Sequence, residues 1–107
     1  SLTILLPQEK SKGLQIKILD NWVDVPASPN IFIVNIGDLM ALWTNDRWKS
    51  TLHRVVPFEK PRKSLAFFHQ PNWDAKIEVI ESCNVGKEKL NSVFSGPYLM
   101  SKFKSTT

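Results

Sequence analysis

The sequence has 107 residues, so it forms one domain at most, with room for a single hydrophobic core. Hydrophobic residues make up 42% and charged residues 22%, a globular composition that excludes disorder over most of the length. The net charge of +4 comes from basic residues scattered among acidic ones. Because no basic run accompanies a base-stacking motif, we expect no nucleic-acid partner.

The cysteine count and the apolar runs indicate where the protein works. The single cysteine, Cys83, has no partner for an internal disulfide, which fits a reducing compartment. No apolar run approaches the roughly 20 residues that span a bilayer, and the N-terminus lacks a signal-peptide pattern. We therefore expect a cytoplasmic protein without a membrane segment.

The first third of the chain consists of short strand-like runs separated by turn signals. Alternating or apolar patterns predict strands over residues 2–7, 14–19, 21–26 and 31–37. Asp20 and Asn21 are predicted to form the tight turn between the second and third of these. The run 31–37 is nearly all apolar, so we expect it at the centre of a sheet.

A short helix and further strands follow. The apolar spacing after Gly37 predicts one or two helical turns near 38–45, with Asp38 as the N-cap. Strand patterns resume over residues 50–56, 63–71 and 75–80, and the tail 96–104 has the apolar stripe of a helix. Several short strands with long turns predict a mostly β domain, either a sandwich or a jelly roll.

Four residues between 53 and 68 suggest chemistry. Side chains two apart in a strand share a face, so Arg62 and Ser64 would point the same way and hold one carboxylate. Phe68 shares their parity and would line the same cavity. His53, a few residues upstream, is a candidate metal ligand. Taken singly, each of the four is better explained as a packing or surface residue.

The surrounding sequence resembles the C-terminal half of the Fe(II)- and 2-oxoglutarate-dependent oxygenases of the isopenicillin N synthase-like group. The likeness covers GLQIKILDNWVDVP at 13–26, VNIGDLMALWTNDRWKSTLHRV at 34–55, RKSLAFF at 62–68 and SGPYLMSKF at 95–103. The resemblance implies a double-stranded β-helix, or jelly-roll, core. It also implies that His53 is the distal iron ligand and that Arg62 and Ser64 bind the far carboxylate of 2-oxoglutarate.

The rest of that iron site is absent from the sequence. Such sites use two histidines and one carboxylate, and the family's His-x-Asp motif precedes a segment like SLTILLP. No His-x-Asp or His-x-Glu pair occurs here. We therefore expect residues 1–107 to be the C-terminal part of a single jelly-roll domain, incomplete at its N-terminus. With one ligand of three, the chain alone is expected to be inactive. Because of its unpaired sheet edge, we expect it to self-associate, to aggregate or to be ordered only beside the rest of its parent.

Two functions from different classes follow. The resemblance implies an intact dioxygenase that uses Fe(II), 2-oxoglutarate and molecular oxygen to oxidise a small organic substrate by hydroxylation, desaturation or ring closure. The alternative is a non-catalytic β-sandwich binding or scaffold module. Some relatives keep an Arg-x-Ser pair without using 2-oxoglutarate, so the pair alone does not name the cosubstrate.

Overall fold

The chain is mostly β-structure, as the sequence predicts. The structure is a computed structural model that describes residues 1–57, 59–86 and 88–106. Its strands are β1 (Leu2–Pro7), β2 (Leu14–Ile18), β3 (Asn21–Asp24), β4 (Ile33–Ile36), β5 (His53–Val55), β6 (Ser64–His69), β7 (Lys76–Ile77) and β8 (Val93–Phe94). Its α-helices are α1 (Asp38–Trp43) and α2 (Ser95–Thr106), and a 3₁₀ turn spans Glu81–Cys83.

The chain divides into two compact units. We call residues 3–35 and 51–68 the strand unit. The helical unit comprises residues 1–2, residues 36–50 and the described residues from His69 onward. The strand unit holds almost all of two three-stranded sheets, with strand orders β4-β1-β6 and β3-β2-β5. The helical unit holds α1, α2 and the small β7-β8 sheet.

The hairpin of β2 and β3 turns one residue earlier than predicted. Ile18 pairs with Asn21, so the loop consists of Leu19 and Asp20 rather than Asp20 and Asn21. Both loop residues have positive φ, 47° and 68°, as a two-residue type I′ turn requires. The chain thus accepts an unfavourable leucine backbone conformation to keep the cross-strand pairing in register.

The prediction that residues 31–37 form a central strand is wrong. Only residues 33–36 form β4, which lies at the edge of its sheet, whereas β1 lies in the middle. The apolar composition of a strand indicates that its side chains favour burial, but it does not determine the position of the strand in the sheet. Val34 in β4 is indeed 58% exposed, as its edge position allows.

Helix α1 is close to the prediction but begins differently. Gly37, and not Asp38, is the N-cap, and its amide donates to the Ser1 carbonyl at 2.7 Å. A Cβ at Gly37 would lie only 3.0 Å from that same oxygen, so a glycine permits the close approach. Asp38 instead lies in the first turn, where its negative charge interacts favourably with the positive end of the helix dipole. The helix ends at Trp43, where the Thr44 hydroxyl donates to carbonyls of the last turn.

The helical unit contains a small core built from Leu39, Leu42 and Ile77. These side chains are 3%, 8% and 0% exposed, and Trp43 and Tyr98 are among the half-buried residues packed on them. Leu39 and Leu42 are three positions apart in α1, so they lie on one face of the helix. This packing holds α1 against β7.

The C-terminal elements differ in length from the prediction. The predicted strand 75–80 pairs only over β7, after which the Ile80 amide donates to the Trp43 carbonyl at 2.9 Å. Its partner β8 has two residues, too few for a sequence pattern to reveal. The predicted tail helix, 96–104, is confirmed, and α2 extends beyond it at both ends. Gly96 in its first turn lies against the Trp73 ring, where a Cβ would overlap the indole. No helix among the described residues has the length and apolarity to cross a bilayer.

Candidate functional site

His53 is the first residue of β5, and its ring is fixed by a local hydrogen bond. The Nδ1–H group donates to the Thr51 carbonyl at 3.3 Å, because a carbonyl can only accept. A neutral imidazole bonded in this way carries no proton on Nε2. The Nε2 lone pair of an exposed His53 is therefore available to a metal ion.

The strand register places His53 on the apolar face of its sheet. His53 pairs with Ile16 of β2, and Ile16 pairs with Val23 of β3, so the three side chains form one row. Leu14 pairs with Val55 in the next row on the same face. The His53 face is thus apolar, and Val23 and Val55 on it are 42% and 57% exposed. Such a face can contact an apolar ligand.

Contrary to the prediction, Arg62 and Ser64 do not share the face of one strand but flank a residue that is hydrogen-bonded to Gln8. Strand β6 begins at Ser64, so Arg62 precedes it and the argument from a shared strand face does not apply to the arginine. Instead, Gln8 binds the residue between them. The Gln8 backbone N–H donates to the Lys63 carbonyl, and the Lys63 backbone N–H donates to the Gln8 side-chain oxygen Oε1, both at 2.9 Å. With both its backbone groups bound, Lys63 fixes the two residues that flank it.

Gly13 is where the end of β5 and Arg62 come together. The Val56 amide donates to the Gly13 carbonyl at 2.8 Å, and Gly13 has a φ of +124°. A Cβ at this position would lie 2.8 Å from the Val56 carbonyl oxygen and 3.8 Å from Arg62 Nε. Only glycine suits both the backbone angle and the close approach. Sequence reasoning missed Gln8 and Gly13, although a glycine directly before a strand is a signal of close backbone approach.

Phe68 lies on the same face of β6 as Ser64, as predicted from its parity. All six residues of this strand are exposed, and Phe68 is 66% exposed. Phe67 and Leu65, on the opposite face, are also open. The strand therefore presents apolar side chains on both faces.

The other histidine has a different environment. His69 Nδ1 and the Ser1 hydroxyl are 2.9 Å apart and hydrogen-bonded, both within the helical unit. The helical unit also has an open cleft of about 600 Å³, lined by residues of α1 and α2 and by two connecting segments. None of the four predicted site residues lines that cleft. The candidate chemistry is thus confined to the strand unit.

A sequence model of the 2OG-Fe(II) oxygenase superfamily matches residues 1–71. That segment contains the whole of the strand unit, including His53, Arg62, Ser64 and Phe68. The chain belongs to the 2OG-Fe(II) oxygenase superfamily. Membership favours an oxygenase over the alternative of a non-catalytic β-sandwich binding or scaffold module.

Relatives and solved structures agree with this membership. The chain is 44% identical over 81 residues to jasmonate-induced oxygenase 2 of Arabidopsis thaliana, an alignment that covers 75% of this chain and 22% of the relative. The full-length Neurospora crassa protein solved with alpha-KG gives a TM-score of 0.88 at 35% identity, covering 100% of this chain and 35% of that one. The structure of JOX2 with 2OG, Fe and JA gives 0.85 at 36% identity, covering 94% and 31%.

These matches confirm the predicted jelly-roll class, because the solved neighbours are jelly-roll oxygenases. This chain spans only about a fifth of the length of the curated relative. Its donor set fits one position of an iron site, since the bond of His53 Nδ1 to the Thr51 carbonyl leaves Nε2 as the nitrogen that can bind a metal ion. No group of three His, Cys, Asp or Glu residues among the described residues can hold a metal ion. A complete superfamily iron site therefore needs more ligands than the described residues bring together.

Proposed function

We propose that this chain supplies one iron ligand and the cosubstrate clamp of a 2-oxoglutarate- and Fe(II)-dependent dioxygenase. The observation that carries the proposal is the meeting of β5 and Arg62 at Gly13, on a strand unit that matches the superfamily throughout. Iron, once bound with 2-oxoglutarate and molecular oxygen, supplies the oxidising chemistry. The chain's own residues bind the iron and orient the 2-oxoglutarate.

His53 is the proposed ligand through Nε2, with the Thr51 carbonyl holding its ring. Arg62 offers the bidentate fork that suits the far carboxylate of 2-oxoglutarate, and Ser64 adds one hydroxyl donor. Phe68 shares the face of Ser64, which suits a contact with the cosubstrate or the substrate. The superfamily match and the approach of Arg62 to Gly13, beside the end of β5, support these roles.

The proposed substrate is a small organic molecule that undergoes hydroxylation, desaturation or ring closure. Two solved neighbours support this class, because one was crystallised with JA and another with thymine. The exposed apolar rows beside His53 suit a partly apolar molecule of that size. We further propose that residues 1–107 are the C-terminal part of one jelly-roll domain in a cytoplasmic enzyme, which the single half-buried cysteine supports.

A chimera tests the proposal. The segment of JOX2 that this chain matches is replaced by residues 1–107, and succinate formation from 2-oxoglutarate is measured with added Fe(II). We expect 2-oxoglutarate turnover in the chimera, and its loss in the His53→Ala variant. The matched control His69→Gln removes the other histidine and retains turnover.

The isolated 107-residue chain serves as a second control. One imidazole cannot complete a coordination shell, so we expect weak Fe(II) binding and no turnover. A folded chimera, checked by circular dichroism, that turns over equally well with His53→Ala would refute the ligand assignment. Tight, stoichiometric, His53-dependent binding by the isolated chain would show that ligands come from another source.

A further inference from the structure

The face of the β3-β2-β5 sheet opposite His53 carries a row of polar side chains that joins all three strands. Arg54 Nε donates to Gln15 Oε1 at 2.8 Å, and Gln15 Nε2 donates to Asp24 Oδ1 at 2.8 Å. Gln15 lies in register between Arg54 and Asp24, so the row runs straight across the sheet. The Arg54 guanidinium also stacks 4.1 Å from the centroid of the Trp22 ring.

This row matters because β5 is a short strand at the edge of its sheet. It has three residues, lies at the edge of its sheet, and pairs only with β2. The ring of His53 is held by a single hydrogen bond of 3.3 Å, at the long end of the range for such bonds. Backbone pairing therefore holds β5 on one side only. Arg54, the next residue, ties β5 through its side chain to both β2 and β3.

We propose that Arg54 is a positioning residue for His53. Its stacking on Trp22 and its bond to Gln15 fix the backbone of β5 from the polar face. On the apolar face, this fixed backbone keeps the His53 ring within reach of the Thr51 carbonyl. The Nδ1–H tautomer then persists, and Nε2 stays directed outward as a bare lone pair. Its consequence for iron binding rests on the proposed function, whereas its effect on the tautomer does not.

Imidazole nitrogen NMR measures this effect directly. The chain has two histidines, so labelling with ¹⁵N-histidine gives two rings, and the His69→Gln variant assigns them. Magic-angle-spinning spectra serve whether the chain is monomeric or associated. They are recorded at mildly alkaline pH. Neither iron nor 2-oxoglutarate is present, so failure here is separate from failure of the turnover assay.

In the unmodified chain we expect His53 to be predominantly the Nδ1–H tautomer. Arg54→Ala should raise the Nε2–H fraction about threefold or more, the scale of one lost hydrogen bond. Gln15→Met removes the relay at similar side-chain length and should have a comparable effect. Arg54→Lys keeps a cation beside Trp22 without the planar fork, so we expect a partial effect.

The matched control is Lys17→Ala. Lys17 Nζ lies 5.9 Å from the same Trp22 ring, but Lys17 belongs to β2 and is not part of the Arg54-Gln15-Asp24 row. We expect this variant to leave the tautomer ratio unchanged. An equal shift with Lys17→Ala, or no shift with Gln15→Met and Arg54→Lys, overturns the proposal even if Arg54→Ala fails to fold. A predominantly Nε2–H ring in the unmodified chain also overturns it.

Discussion

The strand unit and the helical unit differ in how their apolar side chains are covered. The buried apolar residues among those described are Leu39, Ala41, Leu42 and Ile77, and all belong to the helical unit. The strand unit instead leaves large side chains open, and Leu65 and Phe67 are 72% and 62% exposed. The unit that carries the candidate site is thus the one that does not complete its own core.

This difference indicates how the chain relates to its longer relatives. The superfamily match ends at residue 71, so it covers the strand unit and leaves most of the helical unit outside. A jelly roll buries the inner faces of its sheets against each other. We expect the open faces of the strand unit to be covered by other polypeptide, or by ligand, in an active enzyme. Four predictions test this contrast between the units.

The largest effect is expected in the helical core. Ile77→Ala should lower the free energy of unfolding by about 2–5 kcal/mol, because Ile77 is completely buried and its removal leaves a cavity. Ile31→Ala in the strand unit is the matched control, since Ile31 is 57% exposed. Urea denaturation of the 107-residue chain at low concentration measures both. Equal losses would show that the two units are covered alike.

The second prediction concerns self-association through β6. Phe67→Lys should weaken association of the isolated chain about tenfold or more, since a charge replaces an apolar contact worth roughly 1.5–3 kcal/mol. Trp48→Lys, at an exposed aromatic of the helical unit, is the control. Sedimentation at several concentrations gives the association constants. A monomeric unmodified chain would mean that the open faces of β6 do not recruit a partner.

The third prediction sharpens the role of the clamp. In the chimera, Arg62→Lys should raise the half-saturating 2-oxoglutarate concentration about tenfold or more, because a point charge replaces a bidentate fork. Arg47→Lys, at an exposed arginine of the helical unit, should leave it unchanged. Initial rates measured over a series of 2-oxoglutarate concentrations give the half-saturating concentration of each variant. If Arg62→Lys has no effect while His53→Ala abolishes turnover, the clamp assignment fails and the ligand assignment stands.

The smallest effect is expected for the Ser64 hydroxyl, the second donor of the proposed clamp. Ser64→Ala removes one donor, so the half-saturating 2-oxoglutarate concentration should rise about fivefold, equivalent to roughly 1 kcal/mol. Ser92→Ala, at an exposed serine outside the strand unit, is the control in the same assay. A larger effect for Ser64→Ala than for Arg62→Lys would mean that the hydroxyl, and not the guanidinium, is the main carboxylate contact.

The sequence alone determined the elements that have strong local signals. The first strand, 2–7, is observed with the predicted bounds, because apolar runs bounded by polar turns encode a strand locally. The helix after Gly37 and the C-terminal helix also follow from apolar spacing. The family membership followed from the same short-range strings that surround His53 and Arg62.

The tertiary structure decided what depends on contacts distant in sequence. In the strand order of its sheet, β1 and not β4 lies in the centre. The hydrophobic pattern of a strand indicates which of its faces is buried, but it does not indicate which strands pair with it. Arg62 is held through Gln8 and Gly13, which lie about fifty residues earlier and reach it only once the chain folds. The face of His53 likewise came from its register with Ile16, because a three-residue strand has too short a pattern to define its faces.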